Sequence, residues 1–172
     1  MPISQIICPI LSRKFGEGKE IGVVAVKKLL PVFTLTLISF LVFINLFKFQ
    51  IVSILFGVNF LPMLPMVSIL SFGVFAVFYG VFIGGQVMLN LGMDRAFLKI
   101  QVYIAVVSLA INVLFISKGG GFVTSIVWTM SEIIISFYQV AYLQRKGVRL
   151  FTWKMLSITS ITESIKYVLK KG

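Results

Sequence analysis

The chain has 172 residues, of which 59% are hydrophobic and 12% charged, and its mean hydropathy is +1.06. Soluble domains are about half apolar and about a quarter charged, so this composition excludes a soluble enzyme, a disordered tail and a secreted disulfide scaffold, and places the chain in a membrane. Sixteen Lys and Arg against five Asp and Glu give a net charge of +11, a balance whose meaning depends on where the charges fall.

In chain order, residues 1–20 do not have the form of a signal peptide. Arg13, Lys14 and Lys19 follow the apolar stretch instead of preceding it, and Pro2 and Pro9 interrupt it. Ile3, Ile6, Ile7, Ile10 and Leu11 fit either a short apolar face or the last turns of an incoming helix. The first uncharged run is Leu29–Phe47, closed by Lys48; the next, Phe49–Met93, is too long for one crossing. Gly57, Asn59, Pro62 and Pro65 predict a break near its start. The third run is Ile100–Ser117, and a fourth follows Gly119-Gly120-Gly121 as far as Leu143. The expected fold is therefore an all-α integral membrane protein with four transmembrane helices over about 29–49, 65–90, 98–117 and 121–143. A basic tail follows over 146–172. Its apolar residues Phe151, Met155, Ile158, Ile161, Ile165, Val168 and Leu169 recur at steps close to three and four among lysines, which predicts an amphipathic interfacial helix.

With four crossings the charges sort by side. Arg13, Lys14, Lys19, Lys27, Lys28, Arg95, Lys99, Arg145, Lys146, Arg149, Lys154, Lys166, Lys170 and Lys171 fall together on one side, and only Lys48 and Lys118 on the other. Cytoplasmic segments carry the excess of Lys and Arg, so both termini are expected in the cytoplasm. Membrane lipids are thus the expected partners of the basic clusters, and nucleic acid is not.

Little in the sequence supports an enzyme. There is no histidine, the single cysteine is Cys8, and Glu17, Glu20, Asp94, Glu132 and Glu163 include no local acid/base or metal-binding pair. No catalytic residue, metal or cofactor is expected. Glu132 stands out, because a charge near mid-span costs about 2.5–3.5 kcal/mol or more unless it is neutralised, paired or hydrated. It is either a cavity residue for a proton, cation or substrate, or a protonated acid bonded to a neighbouring helix. Gln86 and Asn90, and likewise Ser108 and Asn112, lie one turn apart and are candidates for lining a cavity or bonding across helices. Gly80 and Gly84 form a GxxxG pair, expected to pack helices closely. Asp94 and Arg95 in the tight connection 90–95 are expected to cap helices or to pair. The Gly119–Gly121 turn lacks the Lys-Ser/Thr continuation of a phosphate loop.

Several stretches together resemble the polysaccharide flippases of the MOP superfamily, which includes O-antigen and teichoic-acid translocases and relatives of MATE-type exporters. Pro9-Ile10-Leu11-Ser12-Arg13-Lys14-Phe15, continued by Glu17-Gly18-Lys19, looks like the family's P-x-L-S-R-x-F helix end. Ile54-Leu55-Phe56-Gly57-Val58-Asn59-Phe60 is similar to its I-L-F-G-x-x-F outer loop. Gly85-Gln86 through Gly92-Met93-Asp94-Arg95 resembles its G-Q-x-L-x-x-x-G-x-x-R helix end and turn. Asn112, the glycine turn and Glu132 look like its last two helices. The resemblance covers about residues 9–145. It implies the last four helices of the C-terminal lobe of a roughly twelve-helix transporter, with residues 1–12 as the end of the preceding helix. Such proteins move lipid-linked oligosaccharide across the inner membrane by alternating access, without covalent chemistry, in a cavity between two lobes. By this resemblance residues 1–145 are a lobe fragment, and the chain is a truncated or split form, inactive alone. The missing N-terminal lobe, as a separate chain, or a homo-oligomer would complete it. The alternatives are a fragment of a drug or cation exporter with the same fold, and a non-transport membrane scaffold that oligomerises through Gly80 and Gly84.

Overall fold

The computed structural model describes residues 3–151, 161, 162 and 164. Every regular element among them is helical: α1 (Ile3–Glu17), α2 (Lys19–Leu55), α3 (Leu64–Gly80) and α4 (Asp94–Arg145). A 3-10 turn, Val58–Met63, leads into α3, and a π-helical segment, Val81–Met88, continues it. By length and composition, three of the described helical stretches can cross a membrane: Lys19–Leu55, Val58–Met88 and Asp94–Arg145. The predicted tail helix over 146–172 lies largely outside the described residues.

Helix α2 runs well beyond the predicted span at 29–49. It starts at Lys19, passes the exposed Lys27 and Lys28 and the buried Pro31, and ends at Leu55. Its 37 residues correspond to about 55 Å at 1.5 Å per residue, so a layer of about 30 Å cannot contain all of it. Its early turns are held by packing. Gly22, Ala25, Val26, Leu29 and Leu30 recur at helical spacing and are buried, with Leu11 and Phe15 of α1 in the same cluster. The absent side chain of Gly22 makes room for the Phe15 ring.

α2 and α3 run antiparallel. Thr34 is hydrogen-bonded to Tyr79, Asn45 Nδ2 donates to Ser71 Oγ at 2.8 Å, and Lys48 Nζ donates to Ser68 Oγ at 2.7 Å. The paired numbers fall in one direction as they rise in the other. Lys48, expected to end a span, is thus half-buried against α3, with almost two further helical turns beyond it. Nearer the other end, the Phe33 ring stacks on Phe82 with centroids 4.4 Å apart.

The 52 residues of α4 would extend about 78 Å if straight. They are not straight. Gly120 has φ 52° and ψ −135°, a conformation that a residue with a Cβ adopts only under strain. Thr124 Oγ1 donates to Asn112 Oδ1 at 3.1 Å, although twelve residues of continuous helix would separate their levels by about 18 Å. The chain therefore folds back at the glycine triplet into a first arm (94–119) and a second arm (121–145). Further along, Leu98, Val102, Val106 and their neighbours on the first arm and Ile134 and Tyr138 on the second line one shared groove, as an antiparallel pair requires.

The second arm runs parallel to α3. Thr129 Oγ1 donates to the Ile69 carbonyl at 3.1 Å and Ser136 Oγ to the Ala76 carbonyl at 2.8 Å, both partners advancing by seven residues. Tight packing is concentrated at one end of the bundle, where Leu11, Phe15, Leu29, Leu30, Phe82, Ile83, Val87, Met88, Leu143 and Leu150 are buried together. Away from it, large apolar side chains such as Leu46, Ile54, Leu109, Val113 and Leu114 stand exposed. An apolar exterior of this extent suits lipid, whose tails solvate it at no hydrophobic cost.

Candidate functional site

The polar groups of the second arm lie on one of its faces. Ser125, Thr129, Glu132, Ser136 and Gln139 follow one another at steps of three and four, the spacing of a single helical stripe. Opposite them α3 and its π-helical continuation present small residues: Gly73, Ala76, Gly80 and Gly84 are all buried. Small residues let backbones approach, and hydroxyls can then reach the facing carbonyls. The Thr129–Ile69 and Ser136–Ala76 hydrogen bonds are the result. An added Cβ at Gly73 would lie 2.8 Å from Thr129 Oγ1 and would overlap the Trp128 ring. One at Gly80 would lie 3.1 Å from Ser136 Oγ. One at Gly84 would lie 2.8 Å from Gln139 Nε2 and would overlap the Phe97 ring.

Two members of the stripe have no partner among the described residues. Glu132, one turn from both Thr129 and Ser136, is half-buried and makes no hydrogen bond or ion pair among the described residues. Gln139 is fully buried, and among the described residues neither its Nε2 nor its Oε1 has a hydrogen-bond partner. Beside Gln139 the backbone changes register. The Leu89 amide bonds to the Gly84 carbonyl at 3.1 Å, five residues back. π-helical turns of this kind are frequent at functional sites. The seam thus offers a carboxyl group and a primary amide two helical turns apart, in apolar surroundings. Such groups can hold a proton, a cation or a hydroxylated ligand by hydrogen bonding. They include no nucleophile with an adjacent base, and no three His, Cys, Asp or Glu come together among the described residues.

The other two candidates from the sequence stand apart from Glu132. Asn112 is at the level of Thr124, near the glycine turn, eight residues and about 12 Å along the arm from Glu132. Gln86 lies in the π-helical segment at the opposite end of the seam, and its backbone carbonyl accepts the Asn90 side chain at 2.8 Å. The structure therefore does not bring Glu132, Gln86 and Asn112 into one site. Asp94 and Arg95 make no ion pair with each other among the described residues, and Met93 is the cap residue of α4. Gln139 is the residue that reading for charge passes over. Its signal is present in the sequence as a second polar side chain seven residues after Glu132, and hence on the same face.

An unpartnered buried amide costs about 1–3 kcal/mol. Gln139→Leu, which keeps the volume and removes both polar atoms, is therefore expected to raise the thermal stability of the detergent-solubilised chain. A Tm equal to or below that of the parent would show that Gln139 is satisfied by a group bound in the seam.

Comparison of the chain with protein-family models, with curated proteins and with solved structures finds no match.

Proposed function

We propose that this chain is the C-terminal part of a flippase that moves lipid-linked oligosaccharide across the bacterial inner membrane by alternating access, working with a second body that supplies the remaining helices. The observation that carries this reading is the position of the motifs in the fold. The Arg13–Lys19 stretch lies at the break between α1 and α2, the Ile54–Phe60 stretch at the break after α2, and the Gly85–Arg95 stretch at the break before α4. Each resembled helix end therefore coincides with a helix end in this fold. In this reading α2, α3 with its π-helical continuation, and the two arms of α4 are four crossings. Both termini, with fourteen of the sixteen basic residues, then lie in the cytoplasm.

The seam supports the same reading. Transport by alternating access needs helices that can shift against each other and polar groups that a ligand or ion can engage within the membrane. A stripe of small residues facing hydroxyls, Glu132 and Gln139 meets both needs. No covalent step is involved, so the chain acts as a carrier and not as an enzyme. Two-lobed transporters hold their substrate at the interface of the lobes, and this chain supplies one side of it. Expression of the chain together with the eight upstream helices of such a transporter is expected to restore polysaccharide export in a flippase-null strain. A co-expressed pair that inserts in the membrane and restores no export would remove the reading.

A further inference from the structure

The two arms of α4 enclose a groove of about 870 Å³ on the flank of the molecule. Its floor and walls include Leu98, Val102, Ile104, Val106 and Ile134. Val102 and Val106 are more than half exposed, whereas Ile104 is buried. Residues 98–107 give the groove a length of about 14 Å. It is far longer than it is polar. Its polar groups are Lys99, Tyr103 and Tyr138. Arg95 precedes Lys99 by one turn, and Arg145 and Lys146 end the antiparallel second arm at the same end of the groove. Asp94 is the acidic residue there, and none of these four cations forms an ion pair among the described residues. Towards Val106 and Val107 the groove carries no charge.

We infer that this groove is a binding site for one anionic phospholipid, with an acyl chain along Val102 and Val106 and the headgroup phosphate at Lys99. The match is one of polarity along an axis. An apolar trough with cations at one end is complementary to a molecule with a hydrocarbon tail and an anionic head. Tyrosines beside Lys99 suit the boundary between the two, because their rings are apolar and their hydroxyls polar. A helix from a second copy would fill the apolar trough equally well but would leave the cations at its end without a counter-charge. The site lies outside the seam between α3 and the second arm, so it is independent of what the protein carries.

The test uses the full chain in nanodiscs of equimolar phosphatidylglycerol and phosphatidylcholine, followed by native mass spectrometry of the lipids retained after detergent release. The parent chain is expected to keep one phosphatidylglycerol in preference to phosphatidylcholine. Lys99→Gln is expected to lower that preference about five-fold, the effect of one basic side chain near a charged headgroup, and Lys99→Arg to retain it. Val106→Trp, at an exposed position, fills the trough and is expected to abolish retention of both lipids. Equal retention of the two lipids by the parent chain would overturn the inference. So would phosphatidylglycerol retention that survives Val106→Trp, or a lipid-free dimer whose dissociation follows Val106→Trp.

Discussion

Gly84→Leu is expected to destabilise the bundle by about 1–3 kcal/mol, the usual cost of forcing extra carbon into a packed site, while Gly85→Leu at the adjacent position leaves it nearly unchanged. The two glycines share a helical segment, so the gain in helix propensity on leaving glycine, below about 1 kcal/mol, is common to both. Their surroundings differ. A Cβ at Gly84 meets the Phe97 ring and lies 2.8 Å from Gln139 Nε2, whereas one at Gly85 meets nothing within 4 Å. Phe97 belongs to the first arm of α4 and Gln139 to the second, so a side chain at Gly84 pushes on both arms at once. Gly73→Leu acts in the same way against Trp128 and Thr129. Thermal unfolding in mild detergent reads the difference. Equal Tm values for Gly84→Leu and Gly85→Leu would show that α3 and α4 do not meet along this seam.

The second large effect is on transport. In a co-expressed pair that restores export, Glu132→Gln is expected to lower export at least about ten-fold, the factor that corresponds to about 1.4 kcal/mol, with no loss of thermal stability. Glutamine keeps the shape and the hydrogen-bonding capacity of the protonated acid but cannot ionise or release a proton. If the carboxyl group only bonds to a neighbouring helix, the amide replaces it and export continues. If transport needs the group to bind a cation or exchange a proton in the membrane, the amide cannot serve. Its stability should hold or rise slightly, because the amide avoids the cost of a charge in apolar surroundings. Export by Glu132→Gln at the parent rate would remove the case for an ionisable role. Export unchanged in Gln139→Leu as well would leave the stripe as packing alone.

The legible and illegible parts of the fold differ for physical reasons. Uncharged runs and their glycine and proline breaks are strong signals, because a membrane helix must be apolar over about 20 residues. Those signals place the turn at 57–62, the connection at 90–95 and the reversal at Gly119–Gly121, and the structure has helix breaks at all three. The start of α2 was not legible. Lys27 and Lys28 argue against membrane helix there, whereas the helix reaches back to Lys19 with its early turns buried in one cluster with Leu11 and Phe15. The π-helical turn at Val81–Met88 has no sequence signature beyond its glycines; in the fold its Gly84 lies against Phe97 and Gln139 of the two arms of α4. The contribution of Gln139 was hidden because a neutral amide does not interrupt an apolar run. The polar ladder from Asn45 to Ser71 and from Lys48 to Ser68 depends on register between α2 and α3, which no single helix specifies.

The proposed arrangement of four crossings with both termini in the cytoplasm is the basis for the orientation of the seam and for the proposal that the chain is part of a transporter lobe. The most direct measurement is labelling by a membrane-impermeant maleimide in a background where the single native cysteine, Cys8, is replaced by serine. Arg95→Cys, Lys118→Cys and Arg145→Cys are introduced one at a time, each at an exposed position. The account predicts that intact cells label the Lys118→Cys variant alone, and that the Arg95→Cys and Arg145→Cys variants label only after permeabilisation. Labelling that puts positions 95 and 145 on opposite sides of the membrane would make α4 a single crossing and would contradict it.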